Sequence, residues 1–111
     1  MQAPKISTAI PQRRYQFGSF IAVILGDVQS SDGVGYRYIC ALVADGSTDP
    51  SFYVALIRDG GRQFIRVITE GFNKDLELPA PLRDVEEFSQ QALAIAQQMM
   101  GLSDETPIRL M

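Results

Sequence analysis

Residues 52–69, FYVALIRDGGRQFIRVIT, decide how this chain folds. Two runs of β-branched and aromatic residues, Phe52 to Arg58 and Phe64 to Thr69, flank Asp59-Gly60-Gly61-Arg62. A Gly-Gly pair at the centre of a two-residue loop accommodates the positive φ of the primed turns that match strand twist, so the stretch is predicted as a hairpin. Such a loop also fixes register. With Asp59 opposite Arg62, Arg58 meets Gln63, Ile57 meets Phe64, Leu56 meets Ile65, Ala55 meets Arg66, Val54 meets Val67 and Tyr53 meets Ile68. One face then carries Phe52, Val54, Leu56, Ile65 and Val67, all apolar, and is the predicted core. The other carries Tyr53, Ala55, Ile57, Arg62, Phe64, Arg66 and Ile68 and is mixed.

Upstream, Tyr36 to Ala44 (YRYICALVA) reads as a strand closed by Asp45-Gly46 and Asp49-Pro50. Tyr15 to Val28 reads as one strand with apolar residues on both parities, ended by Ser30-Ser31-Asp32-Gly33. Residues 1–14, with two prolines, read as an extended arm whose Ile6 to Ile10 can add an edge pairing. Downstream, residues 71–83 read as a crossing loop. The period then changes. Val85, Phe88, Ala92, Ile95 and Met99 recur at spacings of three and four, Asp84 and Glu87 resemble a capping box, and Gly101 stands where a left-handed C-terminal residue belongs. The expectation is an α+β domain over residues 15–102, a four-stranded antiparallel meander followed by one C-terminal amphipathic helix on one face, with an arm at 1–14 and a tail at 103–111.

Composition excludes whole classes of chemistry. The chain has 111 residues, 46% of them hydrophobic and 21% charged, which suits one globular domain. Histidine is absent and cysteine occurs once, at Cys40, so His-dependent triads, an internal disulfide and a thiolate metal cluster are out. No cofactor or metal is expected. Asp27, Asp32, Asp45 and Asp49 fall in turn segments where Asp is expected, and too few oxygen ligands alternate there for a calcium loop. Asp84, Glu86 and Glu87 suit the start of a helix without any catalytic role. Gly33-x-Gly35 and Gly60-Gly61 do not stand between a strand and a helix as a phosphate loop must. Cys40, in an apolar strand, reads as a small buried residue. No apolar run is long enough to span a membrane and no signal segment is visible, which gives a cytoplasmic expectation.

Net charge is −3, unevenly spread: seven Lys/Arg oppose five Asp/Glu through residue 66, and three oppose eight thereafter. The order of four strands and a helix over residues 15–100 is similar, by order alone, to the repeats of the Whirly and purine-rich-element-binding families. The mixed face itself invites a single-stranded nucleic-acid reading, with which that resemblance agrees, because Tyr53 and Phe64 flanked by Arg62, Arg66 and Arg37 form a stacking platform for unpaired bases. The acidic total and the scarcity of lysine weigh against it. One helix can cover one side of the sheet, which leaves Tyr53, Ile57, Phe64 and Ile68 without a roof. The reading that follows is a non-enzymatic binding or scaffold module that forms a homodimer through the sheet face opposite its helix, with Arg62 and Arg66 at the rim. Single-stranded nucleic-acid binding is the alternative, and an enzyme whose site forms at an oligomer interface is the third class.

Overall fold

In a computed structural model, which describes residues 3–71, 73–102 and 104–110, the chain forms β1 (Ile6–Phe17), β2 (Phe20–Ser30), β3 (Tyr36–Ala44), β4 (Phe52–Asp59), β5 (Arg62–Thr69), β6 (Asn73–Glu77), α1 (Val85–Met99) and β7 (Ile108–Arg109). One antiparallel sheet runs in the order β6-β5-β4-β3-β2-β1-β7. The α+β class and the single C-terminal helix stand. The expected four strands are corrected to seven among the described residues.

Each added strand has a physical cause. The stretch 15–28 is not one strand, because Gly18 takes φ +59° and turns Phe17 back onto Phe20. The apolar residues on both parities record that turn: Tyr15 and Phe17 before it share a face with Phe20, Ala22 and Ile24 after it. Much of the arm predicted at 1–14 belongs to β1, which tolerates Pro11 because it lies near the sheet's edge. Within the expected loop 71–83, Asn73–Glu77 pairs with β5, and its Leu76 packs on the core. In the tail, Ile108 and Arg109 pair with Gln16 and Tyr15. Of these ranges, residues 1, 2, 72, 103 and 111 lie outside the described residues.

The β4–β5 hairpin has the register its loop dictates, from Asp59 opposite Arg62 to Tyr53 opposite Ile68. Its apolar face joins Phe17, Ala22, Ile24, Cys40 and Leu42 under Phe88, Ala92 and Ala96 of α1. The helix begins where Asp84 accepts the Glu87 amide at 3.0 Å, while the Glu87 carboxylate takes the Arg83 amide at 2.7 Å, one residue earlier than a capping box would. Gly101, at φ +66°, ends it.

What covers the opposite, far face is the chain itself. β2 pairs with β3 only as far as Leu25 opposite Ile39, yet β1 and β2 stay paired out to Ile6 opposite Ser30. The free end of this ribbon bends. Three register shifts, two with the extra residue on β1 and one with it on β2, break its ladder, and Asp27 takes a left-handed φ of +47°, a conformation that Asp tolerates better than most residues. The ribbon carries Ala3, Ile6 and Val28 onto a second apolar cluster formed by Tyr36, Ile39, Tyr53, Ile57, Phe64 and Ile68. The return loop adds Val34, and Gly35 lets the chain pass β4 so closely that a Cβ there would sit 2.8 Å from the Arg58 carbonyl oxygen.

Candidate functional site

The register places Tyr53, Ile57, Arg62, Phe64, Arg66 and Ile68 together on the far face of β4 and β5. They do not form the bare surface that the sequence suggested. Ile57 is 3% and Ile68 1% exposed, and the rings of Tyr53 and Phe64 are buried as well. The premise that a second copy must cover them is overturned, because the ribbon from the same chain does so. Both arginines lean over Phe64, at 4.9 Å for Arg62 and 5.5 Å for Arg66 from guanidinium carbon to ring centre. Both are also spoken for by acids of β6. Arg62 pairs with Glu77, and Arg66 binds Asp75 through Nε at 2.8 Å and Nη2 at 3.2 Å. Those bonds push the Arg66 pKa up and pull that of Asp75 down. Arg37, by contrast, serves the other side of the molecule, donating to the Leu82 and Arg83 carbonyls ahead of the helix at 2.9 and 2.6 Å.

Where the ribbon approaches β5 and β6 it leaves a cleft of about 620 Å³ with Lys5 and Asp32 on one wall and Tyr36, Arg66, Ile68 and Asn73 on the other. Asp32 holds the wall together. Its carboxylate accepts from the Lys5 amide at 3.2 Å, the Val34 amide at 3.0 Å and the Tyr36 hydroxyl at 3.0 Å. Burial acts to raise its pKa, but bonds from Val34, Lys5, Tyr36 and Ser30 outweigh that and leave it below the ordinary value. Tyr36 is pushed up to about 12, by burial first and then by its bond to Asp32. Asp32 is thus ionised and Tyr36 protonated across the neutral range, so neither is poised to exchange a proton there. On the helix face, burial pushes the Cys40 thiol up to about 12, which takes it out of nucleophilic use.

The ribbon roofs only one end of the far face. Along one line of paired residues, Ile108 stands beside Gln16, Gln16 beside Ile21, and Ile21 beside Val43. Along the next, Arg14 stands beside Val23, and Val23 beside Ala41. Leu110 donates its amide to the Arg14 carbonyl at 2.7 Å and shares a side with Ile108 by strand alternation. Ile108 is 61% and Leu110 56% exposed, while Ile21, Val23 and Val43 are half-buried. Ile21, Val23 and Val43 line a shallow groove of about 350 Å³, with Arg14 on one side and Asp45 on the other.

Sequence reasoning missed Lys5, Asp32 and Tyr36 as partners, and it missed the strip on β7, β1, β2 and β3. The Asp32-Gly33 turn was visible, but its bonds to Lys5 and Tyr36 depend on the ribbon's path. Among the described residues, no three or more Cys, Asp or Glu gather as a metal centre needs, and no helix is long and apolar enough to cross a membrane. No family model, curated protein or solved structure matches the chain.

Proposed function

We propose that the protein is a non-enzymatic binding module that self-associates, and that the contact lies at the uncovered end of the far face. The observation that carries this reading is the set of Ile21, Val23 and Val43 on β2 and β3 and the exposed Ile108 and Leu110 at β7, which share the far face on the two sides of Gln16 and Arg14 of β1. A second copy suits it because Arg14 and Asp45 stand on opposite sides of the groove. After a two-fold rotation each faces the other's place, which makes the surface its own complement. These apolar residues supply the buried area of an interface, with Gln16 and Arg14 as polar groups between them and Asp45 at the edge. The engaged arginines and covered rings of Tyr53 and Phe64 weigh against the nucleic-acid alternative. The fixed ionisation of Asp32 and Tyr36 weighs against the enzymatic one.

Sedimentation at two concentrations about a hundredfold apart tests the proposal, since a dimer's population follows protomer concentration. The dimer fraction is expected to rise with concentration. Leu110→Asp would bury a charge in the contact and weaken association by about a hundredfold or more. A monomer at both concentrations refutes self-association, and a dimer indifferent to Leu110→Asp refutes this surface.

A further inference from the structure

The cleft between the ribbon and β5–β6 lies at the other end of the far face and has the features of a small-molecule site. Its volume of about 620 Å³ is within the usual range for ligand pockets, roughly 300–1,000 Å³. Half-buried Ala3 and Val34 line it with apolar surface, over the buried Pro4 and Ile68, and its polar groups are unevenly committed. The acceptors are taken: Asp32 receives the Lys5 and Val34 amides and the Tyr36 hydroxyl, and Asp75 just outside receives Arg66. Donors are left over. Arg66 spends Nε and Nη2 on Asp75, and among the described residues its Nη1 makes no hydrogen bond. Lys5 and Asn73, both exposed, add an ammonium and a carboxamide to the same walls.

A ligand that completes this arrangement must bring acceptors and one negative charge. We infer that the cleft binds a small monocarboxylate, its carboxylate between Arg66 and Lys5 and its apolar body against Ala3 and Val34. A doubly charged phosphate suits it less, because the second charge would face Asp32 with no further cation among the lining residues to answer it. One polar wall is already rigid: Tyr36 is buried and bonded, and Arg66 is fixed at two nitrogens, so little ordering remains to oppose binding.

The test is an amide-resolved NMR titration of the full chain with benzoate, using benzyl alcohol and inorganic phosphate as comparison probes. Saturable shifts at Val34, Tyr36 and Ile68 are expected with benzoate, at a millimolar dissociation constant. Lys5→Ala keeps the backbone amide that Asp32 uses, and it should weaken benzoate binding by about tenfold, the scale of one charge-assisted hydrogen bond. Asn73→Ala, at an exposed edge position, should weaken it less and leave the fold intact. Absence of saturable shifts overturns the inference. So does equal binding of benzyl alcohol, which would mark an apolar hole alone, or equal binding of phosphate, which would mark unselective charge attraction.

Discussion

At one end of the far face, Tyr53, Ile57, Phe64 and Ile68 lie under Ala3, Ile6 and Val34 of their own chain; at the other, Ile21, Val23 and Val43 on one side of Gln16 and Arg14, and Ile108 and Leu110 on the other, have no such roof among the described residues. The two ends carry similar aliphatic side chains on one sheet. Their difference comes from where β1 and β2 stop following β3. Past Leu25 the pair leaves the sheet as a two-stranded ribbon, and register shifts with a left-handed Asp27 turn it over one end only. An apolar face therefore does not by itself call for a second molecule. Whether the chain's own path reaches it decides.

Substitutions at matched positions break the comparison most sharply. Ile68→Ala, at 1% exposure, should cost about 2–5 kcal/mol in urea unfolding. Val23→Ala, half-buried on the same face, should cost well under that in dilute protein. Equal costs would mean that the ribbon does not roof Ile68 in solution.

The ribbon's anchor comes next. Asp32→Ala removes the acceptor shared by Lys5, Val34 and Tyr36, and should cost about 1 kcal/mol because solvent still reaches those donors. It should also speed hydrogen exchange at the Lys5 and Val34 amides while leaving β4 unchanged. The same anchor sets a pH dependence. Asp32 and Asp75 have pKa values lowered by folding, so their contribution is complete above the ordinary carboxylate value of about 4 and is lost as pH falls through the lowered values. Urea midpoints measured down a pH series should fall in that window, and less steeply in Asp32→Asn. The smallest effect is expected at the rim: Arg62→Ala removes an exposed pair with Glu77 and a contact with Phe64, and should shift stability by about 0.5–1 kcal/mol.

The hairpin at 52–69 was legible because Gly60-Gly61 sets its turn and register locally, so all six sequence-singled residues fell on one face as read. The helix was legible for the same reason, through Asp84, its apolar period and Gly101. β6 was hidden because four of its five residues are polar and Leu76 alone faces the core, and β7 is too short to show a pattern. The turn at Gly18-Ser19 left a trace, the change of parity between Phe17 and Phe20, that reading 15–28 as a doubly covered strand absorbed. Coverage of Ile57 and Ile68 left none. It depends on a bend at Asp27 and on contacts between residues far apart in the chain, which composition and period do not encode.

The most direct test of the contrast between the two ends is an isotope-filtered methyl NOE experiment on a concentrated sample in which half the molecules are labelled. The account predicts contacts between molecules among Val23, Ile108 and Leu110, and none at Ile57 or Ile68. Contacts at Ile57 or Ile68 instead, or none anywhere, would contradict it.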